Sequence, residues 1–345
     1  MEYPIPSSSY ASPRSPFKHD MRVCESLPHH VNVSRVLTHF TDNVSGDVIK
    51  QAECDSYETT VSITDQIPCE TVADFVKRNK EEHENDPEAY EKKVCLLLLQ
   101  LLSAIDHLHK ETVVHRDLKM ENLFLTDCGL LFVANFQHAL QQAKDSRPSP
   151  FILRKNASSD LGGNWEHLPP EILNAPEETD LLNYENCDNF AAGCLMYELL
   201  HRPNPFGVNP LLIQQDYDQT DLPPIPARSR FSRGVGRIAR QLLRRYPQER
   251  LSAGEALQMF QVLLWGPKEL DEDSIEIGVS EWLETERAHT VAMIARNQMQ
   301  KSYTQVDFVE TFMKCQFLVD ASADSLSYIY QYLELDKEQG ENYLA

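Results

Sequence analysis

The pattern of hydrophobic and polar positions changes along the chain. Between residues 31 and 72, β-branched and aromatic residues fall in short runs, at 36–40 and 58–63, separated by polar segments. Such runs are typical of strands, and we predict two antiparallel strands here. From Asp86 onward, apolar residues recur every three or four positions, which predicts a buried amphipathic helix. The face to be buried consists of Tyr90, Val94, Leu97, Leu98, Leu101, Ile105 and Leu108.

The second half of the chain has the same helical spacing. A second buried helix is predicted from about residue 188 to 200, and a proline-rich polar segment follows at 221–227. After an acidic linker at 269–276, helical spacing resumes from residue 279 to about 335. The first 20 residues are rich in serine and proline. They cannot bury enough apolar surface to offset the entropy lost on ordering, so a disordered tail is predicted.

Two apolar stripes lie in the last predicted helices. Small residues let two helices approach closely, and larger apolar residues fill the space around them. We therefore expect these stripes to pack against another apolar surface, which can be the domain that precedes them. The residues concerned are Trp282, Leu283, Ala288, Ala292, Ala295, Met299, Phe312, Met313 and Phe317.

Net charge and cysteine content limit which binding partners and which cellular compartment are expected for this chain. The 345 residues include 32 Lys and Arg against 53 Asp and Glu, a formal net charge of −21. This excess repels phosphate backbones and anionic lipid, so neither nucleic-acid binding nor membrane insertion is expected. The 8 cysteines are widely spaced, with no pattern typical of a metal site, and read as reduced thiols. No apolar signal segment opens the chain, and a cytoplasmic location is predicted.

A catalytic-loop motif defines the family resemblance. Residues 113–125 read VVHRDLKMENLFL, with His115, Arg116, Asp117, Lys119 and Asn122 placed as in the H-R-D-L-x-x-x-N loop of protein kinases. Further along, the chain resembles kinases at the A-P-E end of the activation segment, in the buried helix that supports the loop, and at the arginine that pairs with the A-P-E glutamate. The corresponding residues are Glu171, Asp188, Gly193 and Arg250.

The resemblance breaks at the metal site. Where kinases carry Asp-Phe-Gly, this chain reads Asn135-Phe136-Gln137, so a neutral amide replaces the carboxylate that holds Mg²⁺ on ATP. The first glycine is Gly46, and no glycine-rich phosphate loop precedes the strands. The resemblance thus implies an α+β, bilobal kinase-like fold with a truncated or divergent β-rich amino-terminal lobe. It also implies that the catalytic loop is not competent. We expect no metal and no cofactor, with weak ATP/Mg²⁺ binding left open.

An alternative keeps a catalytic function. In it, the chain is a weakly active or atypical ATP-dependent protein kinase that uses Asp117, Lys119 and Asn122. Lys50, in a Val-Ile-Lys segment similar to the kinase β3 strand, would then contact the nucleotide. Its spacing to the segments that follow leaves no room for a helix αC, so we interpret Lys50 as an exposed lysine at a strand end.

Four other segments resemble the PEAK/pragmin family of inactive tyrosine kinases. They are residues 71–75 (TVADF), 197–206 (YELLHRPNPF), 221–226 (DLPPIP) and 261–267 (QVLLWGP). The resemblance extends from about residue 28 to 335. It implies a scaffold that assembles SH2-type and other adaptors in cytoskeletal, cell-adhesion and migration signalling. It also implies a helical dimerisation module that joins the chain to itself or to related pseudokinases, and the apolar stripes of the last predicted helices would form the rear part of this module. Tyr184, in a Tyr-x-Asn pattern, is a possible SH2 ligand.

These expectations divide the chain into four parts. Residues 1–20 form the tail, 21–75 a partial kinase amino-terminal lobe and 76–267 the carboxy-terminal lobe. Residues 268–345 form an acidic linker and a helical, dimerisation-type extension.

Overall fold

The computed structural model describes residues 16–43, 58–64, 69–142, 151–154, 161–175, 181–267, 275–300 and 305–329. The first eleven elements in chain order are α1 (Pro16–Ser26), β1 (Val36–Asn43), β2 (Glu58–Thr64), β3 (Cys69–Thr71), α2 (Val72–Arg78), α3 (Lys80–Asn85), α4 (Pro87–Lys110), β4 (Val113–Val114), β5 (Leu123–Thr126), β6 (Leu131–Val133) and β7 (Leu140–Gln141). The remaining elements are β8 (Ile152–Arg154), α5 (Pro170–Leu173), β9 (Leu181–Asn183), α6 (Cys187–Leu199), α7 (Pro205–Val208), α8 (Arg230–Leu242), α9 (Ala253–Trp265), α10 (Ile275–Gln300) and α11 (Gln305–Asp320).

Helix α4 is the central element of the carboxy-terminal lobe. The Asp86 side chain accepts a hydrogen bond from the Ala89 amide at 3.1 Å, and Pro87 occupies the first helical position. Both features favour helix initiation at this point. The apolar face predicted from the sequence is buried along its whole length. Helices α6, α8 and α9 pack around it, which produces the large core of this lobe.

The strands form small antiparallel sheets. Strands β1 and β2 pair as the sequence predicts, with Phe40 opposite Val61 in the register. Strand β5 lies between β3 and β6. Strand β4 pairs with β7, and β8 pairs with β9. Because β4 and β5 flank residues 115–122, these short pairings fix both ends of the predicted catalytic loop.

Helix α1 corrects the predicted boundary of the tail. Residues 16–20 were expected to be disordered, but they form the first part of this helix. Met21 and Val23 on the same helix are buried, at 2% and 1% exposure, and α1 contacts the turn at residues 136–138. Burial of these apolar side chains against the rest of the fold supplies the free energy that the serine- and proline-rich segment lacks on its own.

The carboxy-terminal extension is helical and packs on the lobe before it. The Phe317 ring of α11 lies 5.9 Å from that of Trp265 in α9 and 6.4 Å from that of Trp282 in α10. The Arg287 Nε group donates to the Leu318 carbonyl at 2.8 Å, which ties α10 to α11. Across the ranges given above, no helix combines the length and apolar content needed to span a bilayer.

Candidate functional site

Asp188, at the start of α6, holds the backbone of the catalytic loop. Its carboxylate accepts hydrogen bonds from the backbone amides of His115, at 2.8 Å, and Arg116, at 2.9 Å. Asp188 is fully buried, which opposes ionisation, but the hydrogen bond from His109 and the nearby imidazoles hold its pKa below the usual range. The contact expected from the kinase resemblance is therefore present. It keeps the loop in place whether or not the site is active.

Two further supports also have the expected geometry. Arg250 donates to both carboxylate oxygens of Glu171, at 2.6 and 2.7 Å, and its guanidinium lies 5.0 Å from the Phe190 ring centre. A Cβ atom on Gly193 would lie 2.7 Å from Leu243 Cγ, so only glycine allows α6 to approach the end of α8 this closely. All four predicted supports therefore occupy structural positions.

The Asp117 carboxylate is covered. The residue is 2% exposed, Asn122 Nδ2 donates to Oδ2 at 2.9 Å, and Lys119 Nζ lies 3.1 Å from the same oxygen. Gly163 of the activation segment lies against the other oxygen, where an added Cβ would fall 2.0 Å from Oδ1. An incoming substrate hydroxyl would need an unobstructed carboxylate oxygen within hydrogen-bond distance. Asp117, Lys119 and Asn122 are thus brought together, but in a closed arrangement.

The metal position is closed by a pair of amides. Asn135 has the left-handed backbone conformation (φ 68°, ψ 72°) that Asn tolerates better than most residues. Its Nδ2 group donates to Asn122 Oδ1 at 3.0 Å, and this oxygen is the atom that an active kinase would present to Mg²⁺. Asn135 Oδ1 is buried and has no hydrogen-bond partner.

These groups do not fit Mg²⁺. The ion requires near-octahedral oxygen ligands and is usually bound through one or two carboxylates. Here the only open oxygen in the amide pair is the neutral Asn135 Oδ1, while Asp117 is bonded to Asn122 and Lys119. Within the described part of the chain, no three His, Cys, Asp or Glu side chains form a cluster that could hold a metal ion.

Asp20 is a site residue that the sequence interpretation missed. From α1, its Oδ1 atom accepts a hydrogen bond from the Phe136 amide at 2.5 Å. Burial raises the Asp20 pKa, and the hydrogen bond from Phe136 acts in the opposite direction. On the same helix, His19 Nε2 lies 2.7 Å from the Ala139 carbonyl oxygen. Helix α1 therefore holds the Asn-Phe-Gln segment in place.

Phe136 and His115 pack together beneath the catalytic loop residues and restrict their movement. Phe136 is fully buried and packs edge-on against the His115 ring, at 4.9 Å between centroids. Burial lowers the pKa of His115, which favours a neutral ring whose Nε2 donates to the Ala134 carbonyl at 3.0 Å. Gln137 lies in the turn that follows, and this turn is held through Arg116, whose Nε donates to the His138 carbonyl at 2.6 Å.

Tyr184 does not suit the role suggested by its Tyr-x-Asn pattern. The side chain is fully buried, its hydroxyl donates to the Leu161 carbonyl at 3.2 Å, and the Arg116 guanidinium lies 4.9 Å from its ring centre. A kinase or an SH2 domain could reach this hydroxyl only if the lobe opened. The hypothesis that Tyr184 is an SH2 ligand is therefore wrong for this folded state.

The predicted association residues divide into two groups. Trp282, Leu283, Met313 and Phe317 face the carboxy-terminal lobe or lie between the two last helices. Ala288, Ala292, Ala295 and Phe312 are exposed to solvent, and Val291 beside them is 68% exposed. The alternative of packing on the preceding domain therefore holds for the first group. Several expectations lie outside the described residues, namely the Met299 side chain, the segment with Gly46 and Lys50, residues 1–15 of the predicted tail and residues 268–274 of the predicted linker.

The lobe, the supports and the loop together define a protein kinase domain with a closed catalytic loop. The protein kinase domain model matches residues 18–260. The inactive tyrosine-protein kinase PEAK1 of Mus musculus is 36% identical over 307 residues, which cover 79% of this chain and 16% of that protein. The inactive tyrosine-protein kinase PRAG1 of Mus musculus is 29% identical over 376 residues, covering 95% of this chain and 26% of that protein.

The structural comparison points to the same group. A crystal structure of the pseudokinase PEAK1 superposes with a TM-score of 0.72 at 33% identity, covering 91% of this chain and 78% of that chain. This chain belongs to the protein kinase family and, within it, to the PEAK/pragmin group. It spans only 16% and 26% of the lengths of the two curated relatives above. The names of these relatives agree with the sequence-based expectation that the chain is not an active enzyme.

Proposed function

We propose that this chain is a non-catalytic kinase-fold scaffold that associates with a second copy of itself or with a related pseudokinase. In this proposal it assembles SH2-type and other adaptors in the cytoplasm, in cytoskeletal and cell-adhesion signalling linked to migration. The observation that carries the non-catalytic part is the hydrogen bond between Asn135 and Asn122, which occupies the oxygen that Mg²⁺ would need. Membership of the PEAK/pragmin group supports the adaptor role.

The exposed part of the carboxy-terminal extension supports the association. Val291 is 68% exposed on α10, where Ala288, Ala292 and Ala295 are also exposed, and Phe312 on α11 is 43% exposed. Exposed apolar residues grouped in this way are typical of surfaces that bind another protein. A second helical face could bury them at close range because alanine leaves room for a neighbouring backbone.

The proposal that the chain is non-catalytic is tested with Mg·ATP. The melting temperature of the purified protein should stay unchanged in Mg·ATP, and radiolabelled phosphate transfer to a peptide substrate should remain at background. Transfer that disappears in an Asp117→Asn variant would instead support the alternative of a weakly active kinase.

The association half is tested by the mass in solution. Light scattering at micromolar concentration should give a mass above that of one chain, and Val291→Glu should reduce it to that of a monomer. Val208→Glu is the matched control, because Val208 lies in α7, away from the extension, and is 67% exposed against 68% for Val291. A monomeric wild-type protein, or an equal effect of both variants, would defeat the association proposal.

A further inference from the structure

The outer face of helix α8 carries a high concentration of positive charge. From residue 228 to 245 the chain contains seven arginines and no Asp or Glu. The whole chain has 32 Lys and Arg against 53 Asp and Glu, so removing these seven leaves 25 against 53 elsewhere. The charge of this segment is thus opposite in sign to that of the chain as a whole.

Four of these arginines lie on one face of α8. They are spaced by three, four and three residues, which at about 100° per residue places them within an arc of about 80°. At about 1.5 Å per residue, the first and the last are about 15 Å apart along the helix axis. The opposite face packs into the core through Phe231, Ile238 and Leu242. We call the outer row the arginine stripe, and it consists of Arg230, Arg233, Arg237 and Arg240.

The carboxylates of the fold leave much of the arginine stripe uncompensated. Arg230 and Arg233 are exposed, and within the described ranges neither they nor Arg240 form an ion pair with Asp or Glu. The pair of Arg244 and Glu249 lies past the end of the helix. Like charges three and four residues apart repel each other, and a surface that served only solubility would mix both signs. The stripe is therefore unfavourable for the isolated fold and favourable for an anionic ligand.

An extended peptide matches the arginine stripe in length and in spacing. Successive arginines are about 4.5–6 Å apart along the axis, and alternate side chains of an extended chain are about 6.6 Å apart on one face. The long arginine side chains can absorb this difference. About five extended residues cover the 15 Å of the stripe. Carboxylates suit it because the planar guanidinium donates two parallel hydrogen bonds to a carboxylate.

We propose that the arginine stripe binds an acidic segment of another protein, rich in Asp or Glu and in extended conformation. Arg230 and Arg233 would make the first contacts, because they are exposed and have no carboxylate partner in the described part of the fold. Arg237 and Arg240, which are half-buried, would extend the site along α8. This proposal does not depend on self-association or on the adaptor role.

A membrane surface or a nucleic-acid duplex fits the stripe less well. Either would bring a wide anionic surface within about 8 Å, the Debye length at physiological salt, of acidic groups elsewhere on the chain. With 25 Lys and Arg against 53 Asp and Glu outside the segment, repulsion opposes such an approach. A single peptide strand can contact the stripe alone. The narrow ligand is therefore favoured over the broad one.

The experiment is fluorescence anisotropy of a labelled peptide of six glutamates, titrated with the full chain at low ionic strength. We expect saturable binding at one site per chain, which weakens as salt is added, and no binding of a peptide of six glutamines. Arg230→Gln and Arg233→Gln should each weaken binding about two- to fivefold, the usual range for an exposed ion pair. Arg233→Lys keeps the charge and should lose less than Arg233→Gln.

Arg22→Gln is the control for the loss of one positive charge. Arg22 is exposed on α1, outside the carboxy-terminal lobe, so this variant should bind the peptide as the wild type does. The melting temperatures of all the variants should stay close to that of the wild type, because the changes lie on the surface. A lower melting temperature with unchanged affinity in the stripe variants would show that the arginines serve the fold, and would overturn the proposal.

A DNA duplex and vesicles that contain phosphatidylserine test the choice of ligand. Both should compete with the peptide only weakly, and stronger binding of either would contradict the proposal. Absence of saturable peptide binding, or equal weakening by Arg22→Gln, would do the same. The chain's own acidic linker is the remaining alternative. Binding seen only in a variant with amides at positions 269, 271, 272 and 273 would assign the stripe to that linker and would also overturn the proposal.

Discussion

Asn135 is the residue at which this site departs most clearly from that of an active kinase. An Asn135→Asp substitution removes the hydrogen bond to Asn122 and places a charge in a buried position. In EDTA we expect the free energy of unfolding to fall by about 1–3 kcal/mol. Millimolar Mg²⁺ should recover much of this loss in the variant and leave the wild-type melting temperature unchanged, because only the variant supplies an anionic ligand.

The control for this prediction is Asn209→Asp. Asn209 is exposed at the end of α7, so the same chemical change there should affect neither the stability nor the response to Mg²⁺. If Mg²⁺ fails to stabilise Asn135→Asp, then the missing carboxylate is not the only obstacle to metal binding at this site.

The pair formed by Glu171 and Arg250 should be among the most sensitive positions in the fold. Arg250 is 6% exposed and makes the predicted pair with Glu171 through two hydrogen bonds to the carboxylate. Glu171→Gln leaves this buried cation without its counter-charge and should cost about 3–5 kcal/mol in urea unfolding. The exposed pair of Arg244 and Glu249 is the comparison, and Glu249→Gln should cost less than about 1 kcal/mol. Similar losses at both sites would contradict this explanation.

Histidine burial sets the response to acid. Burial is the first cause that lowers the pKa of His30, His83, His115 and His201, and for His30 the value is about 4 against 6.5 for the free side chain. Between these values the unfolded chain binds more protons than the folded chain. The contribution of these neutral, buried histidines to the free energy of unfolding is therefore fully present above about pH 6.5 and is lost as the pH falls towards 4.

The contribution of His30 can be isolated by substitution. His30→Asn keeps an acceptor near the position of Nδ1, which takes a hydrogen bond from the Asn32 amide at 3.2 Å. The free energy of unfolding should then fall less steeply between pH 6.5 and 4, with proton uptake on unfolding reduced by up to about one proton. His289→Asn, on the exposed side of α10, should leave the wild-type slope unchanged. An unchanged slope in His30→Asn would rule out this histidine as a source of acid sensitivity.

At the scale of elements, helix α1 is the part of the site that controls the Asn-Phe-Gln segment. Asp20→Ala removes the acceptor of the Phe136 amide, and hydrogen exchange at residues 135–139 should become faster. Asp20→Asn keeps a neutral acceptor and should retain slow exchange, since burial already disfavours the charged form of this side chain. Exchange measured by mass spectrometry distinguishes the two variants. Equal exchange in both would show that the contact does not restrain the segment.

The sequence predicts elements well where burial is local and periodic. Helices α4 and α6 follow their apolar spacing because each has a face, or a whole surface, within the core. Asp20 and Phe136 are 116 positions apart, and nothing in either local sequence indicates that they meet. The same holds for the cavity lined by Lys80, His83 and Arg228, whose lining comes from four separate segments. Motif spacing predicted which residues form the catalytic loop, but its closure by Gly163 depends on the path of the activation segment.

At the scale of the whole molecule, the carboxy-terminal extension has an inner face that completes the fold and an outer face that remains available. Phe317 is 2% exposed between Trp265 and Trp282, whereas Phe312, five positions earlier on the same helix, is 43% exposed. Substitutions at these two phenylalanines should therefore separate stability from association. The inner one removes a large side chain from the core, and the outer one changes only the surface.

Phe317→Ala should lower the free energy of unfolding by about 3–5 kcal/mol, the usual cost of removing a buried aromatic side chain. Phe312→Ser should change stability by no more than about 0.5 kcal/mol but reduce the mass measured by light scattering. Urea unfolding and mass measured on the same samples decide between the two roles. If Phe312→Ser destabilises the monomer as strongly as Phe317→Ala, the outer face belongs to the fold of one chain, and the association must use another surface.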